Sequence, residues 1–280
     1  MVLGLAKLVG GILGTSSALI ADATHSLSDS ISSIIVLSGL RIARQPPHRA
    51  HPYGHGKAET VAGLVVAFML IGVAIFIGYT AVAKIARPGE SGIPQPVALY
   101  IALGSILIKE GMFQYKIRLG KRVGSEAIII DAWHHRSDAL SSICVVGGIA
   151  LAMINPALRV ADPVAAIAVC FIILWIGIKG FGRTSSVLMD TPADEKIEVD
   201  IRDVATSVPG VMGTEKLITR RSGMDVIASL HVEVDPESSV RQAHETASAV
   251  RESIVQHIPR VKQVTVHIEP YYPNDHEPQQ

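Results

Sequence analysis

Cysteine is nearly absent: the 280-residue chain has two, Cys144 and Cys170. Both sit inside apolar runs, which excludes a disulfide framework and a thiolate zinc finger. Charge is also scarce, at 18% of residues, where soluble proteins average about 25%. Hydrophobic residues make up 49% and the mean hydropathy is +0.37. A wholly soluble globule and a dominant disordered tail are both excluded, and the long stretches almost free of charge point to a membrane-embedded part. No HExxH pattern occurs, so a membrane zinc hydrolase lacks its general base and the chain is not read as an enzyme. A small-residue cleavage site followed by a soluble mature domain is missing as well, so no cleavable signal is expected.

What the chain does have is unevenly placed. The formal net charge of +0 hides 16 basic and 9 acidic residues up to position 189, about +7, and 9 and 16 beyond it, about −7. Eleven histidines stand out, because imidazole is the commonest metal ligand and titrates near neutral pH. Apolar stretches near residues 60–83, 96–114, 139–155 and 163–182 each approach the roughly 20 residues that a helix needs to cross hydrocarbon. Residues 26–43 form a more polar span, burying a Ser and Asp face while Ile31, Ile34, Ile35, Val36 and Leu37 face lipid or packing partners. Residues 2–20, interrupted by Lys7 and several glycines, form a first span that looks short.

Arg41, Arg44, Arg49 and Lys57 between spans two and three, and Lys116, Arg118, Lys121 and Arg122 between spans four and five, mark those loops as cytoplasmic. The loop holding Lys84, Arg87 and Glu90 and the one holding Arg159 and Asp162 are leaner in positive charge. Six spans then place both termini in the cytoplasm, so the expected domains are a transmembrane part over 1–185 and a cytoplasmic part over 190–280. In the second part, Asp194–Val208 reads as a helix, Lys216–Arg221 and Val226–Val234 as a hairpin around Ser222-Gly223-Met224-Asp225, Arg241–Ile258 as a helix and Val261–Ile268 as a third strand. The order αββαβ predicts a small α+β sandwich with helices on one face of a sheet.

The most informative feature is an internal repeat. Residues 22–34, DATHSLSDSISSI, match residues 131–143, DAWHHRSDALSSI, at eight of thirteen positions. Residues four apart share a helix face, so His25 stands over Asp29 and His134 over Asp138. Two such helices facing each other offer two nitrogen and two oxygen donors, a set suited to tetrahedral Zn²⁺ at about 2.0–2.2 Å, whereas Mg²⁺ and Ca²⁺ want more oxygens. Ionisable side chains at membrane depth are costly unless paired or coordinated, and repeated halves in transporters place the substrate site where they meet. The competing reading is helix–helix hydrogen bonding alone. For Asp22 and Asp131, one turn earlier, capping or orienting the helices competes with ligation. Lys109 and Glu110 are intramembrane charges that point in different directions and are not a mutual ion pair. Since imidazole must be neutral to bind metal, entry of the ion expels protons, which is the chemistry of an exchanger.

At these residues the chain resembles the cation diffusion facilitator family of divalent-metal/proton antiporters, through the tandem HxxxD motifs, the segment His51-Pro-Tyr-Gly-His55-Gly-Lys-Ala-Glu59, and Leu188-Met-Asp190. The resemblance implies a bundle of six transmembrane helices followed by an α+β metallochaperone-like cytoplasmic domain, working as a homodimer that alternates between inward-facing and outward-facing states. It places the transport site on His25, Asp29, His134 and Asp138, with histidine at the first position pointing to zinc over Cd²⁺, Co²⁺, Fe²⁺ or Mn²⁺. It puts a loop metal site at His48, His51 and His55, where Pro52 and Gly54 argue against a regular helix. It puts a cytoplasmic zinc cluster at Glu215, His231, His244, His267 and Glu269, of which His267 and Glu269 share a strand face by alternation. Lys57 and Asp190 take the family's membrane-proximal charge pair. About half of the family's first helix is missing here. The resulting expectation is efflux of Zn²⁺ in exchange for H⁺ across a bacterial inner membrane, with zinc both carried and regulatory. Neither an organic cofactor nor a nucleic-acid partner is expected. A non-transporting sensor or scaffold of the same fold is the alternative, against which the four intact ligands count.

Overall fold

The computed structural model describes residues 1–87, 92–123 and 126–273. Glu90 and His276 lie outside them, as do the side chains of Asp131, His134 and His135. Six α-helices come first, α1 (Val2–Leu13), α2 (Ser17–Ala43), α3 (Lys57–Ala86), α4 (Pro96–Val123), α5 (Glu126–Ile154) and α6 (Ala161–Leu188). Then follow α7 (Glu195–Thr206), β1 (Gly213–Ser222), β2 (Asp225–Val234), α8 (Val240–His257) and β3 (Val261–Pro270), the expected αββαβ order. Among the described residues, four helices, α2, α3, α6 and α4 to Leu119, are long and apolar enough to cross a membrane.

The expected first two spans, 2–20 and 26–43, are corrected. The first helix stops at Leu13 and the second begins at Ser17, so His25 lies well inside α2 rather than at its opening. The polar run Gly14-Thr15-Ser16-Ser17 marks the break, and within it Thr15 takes a left-handed conformation at φ 52°, which a β-branched residue rarely adopts. Ser16 Oγ then accepts from the Leu19 amide at 3.1 Å as an N-cap. The buried carboxylate of Asp162, in the first turn of α6, accepts from Ser16 Oγ and from the amides of Ser17 (2.6 Å) and Ala18 (3.3 Å). An anion is well placed there, because the first amides of a helix are unsatisfied and carry partial positive charge.

Two compact units make up the chain, Met1–Leu37 with Leu64–Phe181, and Ser38–Gly63 with Gly182–Gln280. The core of the first is built largely of alanine, with Ala18, Ala74, Ala98 and Ala102 fully buried beside Leu19, Val145, Ile149 and Ile173. Small side chains let helix backbones approach closely where apolar burial alone gives no drive to associate. At Gly148 an added Cβ would come within 2.9 Å of the Ala161 carbonyl, so α5 and α6 meet there only because the residue is glycine. The outward surface is apolar instead: Phe76, Leu107, Phe171 and Trp175 are all more than 60% exposed, as suits a face turned to hydrocarbon.

In the second unit, the sheet runs β1-β2-β3, with β1 antiparallel and β3 parallel to β2. Period-two alternation along β2 buries Val226, Ala228, Leu230, Val232 and Val234 against Ile197, Ile201, Val250 and Ile254 of α7 and α8. Ile227, Ser229 and His231 are left on the other face. The hairpin turns at Gly223, whose φ of 63° favours glycine. A capping box between Ser239 and Gln242 starts α8.

Candidate metal centres

Three groups of ligating side chains assemble among the described residues. The first is in the helical unit: His25, Asp29 and Asp138 bring one donor atom each within 4.8 Å of one another. His25 is 5% exposed. Its Nδ1 lies 3.8 Å from Asp29 Oδ1, one turn along α2, and its Nε2 lies 3.9 Å from Asp138 Oδ1 on α5. These contacts use opposite nitrogens of one ring, and a single ion can take only one of them. A tetrahedral ion with bonds of about 2.1 Å holds its donors roughly 3.4 Å apart, so the group, whose donors lie within 4.8 Å of one another, must close further to grip an ion. Buried Nδ1 has no hydrogen-bond partner among the described residues, an arrangement that costs free energy unless something is bound there. The backbone of His134 lies in the same α5 helix, one turn before Asp138; its side chain is outside the described residues.

Around this group the sequence reading missed a network of buried ion pairs. Lys7 of α1, fully buried, donates to Asp22 Oδ2 at 2.7 Å. Asp22 also faces the Ser142 hydroxyl at 3.1 Å, and that hydroxyl lies 3.1 Å from the Asp138 carbonyl. Asp22 is thus occupied in orienting α1, α2 and α5. From α4, Lys109 reaches the Asp138 carboxylate at 3.8 Å and its carbonyl at 3.3 Å, while Glu110 accepts from Gln114 at 2.9 Å. The available signal was that a lysine at membrane depth needs a carboxylate; what the sequence withheld was which one.

The second group, in the other unit, is all imidazole. His48, His51 and His55 lie within 4.8 Å of one another in the segment before α3. That segment is not helical. His48 and His51 form an isolated antiparallel bridge, with reciprocal backbone bonds of 3.2 and 2.9 Å, and Gly54 follows at φ 79°. His48 Nε2 stands 3.3 Å from both His55 Nε2 and His51 Nδ1, already the spacing of donors around a tetrahedral ion.

Beside it, Lys57 donates to Asp190 Oδ1 at 2.9 Å and Arg220 lies 3.4 Å from Oδ2. The hydrogen bond from Lys57, helped by both cations, holds the Asp190 carboxyl below its ordinary value of 3.8. Lys57 is the first residue of α3, where a cation opposes the helix dipole and a carboxylate offsets it. A cavity of about 460 Å³ opens here, lined by His51, Tyr53, His55, Lys57, Arg220 and Ile227 among others.

The third group lies on the sheet face away from the helices. His231 and His267 are paired in register across β2 and β3, and Glu215 is paired with His231 from β1. His231, His267 and Glu269 come within 4.8 Å, with His231 Nδ1 2.7 Å from Glu269 Oε1. Partial burial pushes the Glu269 carboxyl up, but the bond to His231 and the nearby Lys216 and His267 outweigh it and leave the carboxyl below its usual range. Two further expected members stand apart from this triad. Glu215 flanks it, and His244 lies on α8, beside Arg251 and the β3 segment 263–266. Nothing in the pattern of α8 tells which face of the sheet that helix covers.

Apolar helices bearing a buried imidazole beside two half-buried carboxylates, together with a small α+β unit carrying more of the same donors, define an integral membrane protein that handles divalent cations. A family profile for the cation efflux transmembrane domain matches residues 1–189, and one for the cation efflux protein cytoplasmic domain matches residues 193–271. Metal tolerance protein C1 of Arabidopsis thaliana is 36% identical over 96% of this chain, which spans 60% of the plant protein's length. The manganese efflux system protein MneP of Bacillus subtilis is 30% identical, with 97% of this chain and 93% of that protein covered. A solved structure of the MamM CTD is 36% identical with a TM-score of 0.27, covering 28% of this chain and 98% of that one. The chain belongs to the cation efflux, or cation diffusion facilitator, family, whose members are divalent-metal transporters rather than enzymes.

Proposed function

We propose that this protein exports Zn²⁺ from the cytoplasm of a bacterial cell across the inner membrane in exchange for H⁺. The single observation that carries the reading is the meeting of His25, Asp29 and Asp138 from two copies of one repeated motif, inside an alanine-packed helical unit. His134, in the repeat position of His25, supplies the fourth donor. Imidazole favours zinc over the harder Mg²⁺ and Ca²⁺. It also makes occupancy depend on protons, because each histidine must be neutral to bind metal. Residues 1–185 form the transmembrane domain and 190–280 a cytoplasmic domain through which two copies pair, with both termini inside. His48, His51 and His55 form a loop site. Glu215, His231, His244, His267 and Glu269 form a sensing site, of which His231, His267 and Glu269 already stand together. Lys57 and Asp190 tie α3 to the segment after α6.

Purified protein in vesicles with an imposed pH gradient is expected to move Zn²⁺, and Asp29→Ala or Asp138→Ala to abolish the flux. Undiminished flux in both variants refutes the assignment. One relative is named for manganese efflux, so the same vesicles are challenged with Zn²⁺ and Mn²⁺ in competition; Mn²⁺ winning at equal concentration would replace zinc as the cargo.

A further inference from the structure

Lys109 is the residue that a metal-ligand pattern does not ask for. It lies on α4, is 5% exposed, and holds its ammonium 3.8 Å from Asp138 Oδ2 while donating to the Asp138 carbonyl at 3.3 Å. The other oxygen of the same carboxylate is 3.9 Å from His25 Nε2. A buried lysine is costly unless paired. Beside a cation site the cost rises, because the ammonium and the divalent ion need the same carboxylate. Among the described residues the nearby carboxylates are otherwise engaged: Glu110 accepts from Gln114, and Asp22 is bonded to Lys7 at 2.7 Å.

We propose that Lys109 is a positioning residue for cargo release, a tethered cation that holds Asp138 when the transport site is empty and yields it when the metal arrives. The inference rests on reading His25, Asp29 and Asp138 as transport ligands. Charge counting gives the consequence. Asp29 and Asp138 carry two negative charges and Lys109 leaves a net of one, so a divalent ion enters a site that it overcompensates instead of one that it neutralises. The ion is therefore held less tightly than the donor set alone would hold it, as a carrier that must let go requires. A monovalent cation gains little over the resident ammonium and competes poorly. When displaced, the ammonium keeps its acceptor at the Asp138 carbonyl, so it shifts by a short distance and is ready to return. The proposal needs no change in the protonation of Lys109.

The test combines zinc flux into vesicles with equilibrium dialysis of zinc on the purified full chain, for the wild type, Lys109→Met, Lys109→Gln and Lys109→Arg, using Asp138→Ala to mark the binding step that belongs to this site. Removing the charge in either of two ways is expected to lower KM and Kd about tenfold, roughly 1.4 kcal/mol of tighter binding, and to lower kcat as release slows. Lys109→Arg is expected to stay near the wild type in all three. Unchanged or raised KM and Kd in the Met and Gln variants overturn the proposal, as does an Arg variant that behaves like Met. If a charge-free variant carries no flux, its Kd decides by the same criterion. Wild-type transport by Asp138→Ala would instead bring down the site assignment itself, whatever the lysine variants do.

Discussion

The Lys7–Asp22 pair offers the sharpest stability test, because its two members are 0% and 1% exposed and only 2.7 Å apart. Breaking such a pair from one side strands a charge in a dry interior, at a cost of about 3–5 kcal/mol, whereas replacing both members with neutral groups is far milder. Asp22→Asn keeps the shape and an acceptor for Ser142 but leaves the Lys7 ammonium uncompensated; Lys7→Met leaves the Asp22 carboxylate with Ser142 alone. Each single variant is expected to lose about 3 kcal/mol or more, a fall in melting temperature of roughly 6–12 °C for a unit of this size. The double variant should recover most of that loss. Trp133 and Trp175 both sit in this unit and report unfolding by intrinsic fluorescence in detergent. A cycle in which the single losses simply add, or in which Asp22→Asn melts within 2 °C of the wild type, would show that the pair is not the buried bridge described.

The Asp190 carboxyl is held below its ordinary value, so the stability it contributes is present above that value and is lost as pH falls through the lower folded one. Both Lys57 and Asp190 are more than 40% exposed, which limits the pair to about 0–1 kcal/mol. The small difference in melting temperature between the wild type and Asp190→Asn at pH 7 should therefore close below about pH 4, and a gap that widens on acidification contradicts the sign. For the sheet-face cluster, His231→Ala with His267→Ala is expected to weaken zinc-dependent association of the full chain in detergent, read by energy transfer between labelled copies; equal affinity with and without zinc, in the wild type, removes the sensing role.

How much of this was legible depended on how far apart in the chain the cause and its effect lie. Residues four apart on one helix, and a motif repeated in a second helix, sufficed to put His25, Asp29 and Asp138 together. Period-two alternation sufficed for β2, because burial on one face is a local property of that strand, while β1 and β3, whose burial does not alternate cleanly, were read from the hairpin turn and the apolar run after Pro259. The break between α1 and α2 had a local signal, the turn and N-cap run Gly14-Thr15-Ser16-Ser17, which a single span over 2–20 passes over. What was not legible was its anchor, the carboxylate of Asp162, 146 residues beyond Ser16. The partners of Lys7 and Lys109 stand 15 and 29 residues away, and apolar periodicity carries no information about pairing between different helices. His244 failed to join its expected cluster for the same reason, since which sheet face α8 covers is a matter of topology.

The same donor chemistry recurs at different depths, and depth sets what each group can do. Imidazole nitrogens on the exposed loop or the half-open sheet face cost little to keep without metal where water satisfies them, the buried Nδ1 of His55 excepted. They can exchange ions without the fold changing, and their affinity is correspondingly limited by competition with solvent. His25 is different: with 5% exposure and an unsatisfied Nδ1 it pays for dryness whenever nothing is bound. The Asp29 side chain is 34% exposed while those of His25 and Asp138 are 6% and 14%, so an ion meets Asp29 first, and carrying it on to the other side requires the helices around the group to part. The alanine packing of α2, α3, α4 and α6 makes such a step cheap in side-chain terms, since smooth helix faces shift past one another without unlocking large interdigitated residues. What resists the shift is the set of buried polar ties, Lys7 to Asp22, Ser142 to Asp22, and Lys109 to Asp138. Two of these three draw on α5, the helix that contributes Asp138. The element expected to move with the ion is therefore α5 against α2, and the ties that metal binding must rearrange are those made by Ser142 and Lys109.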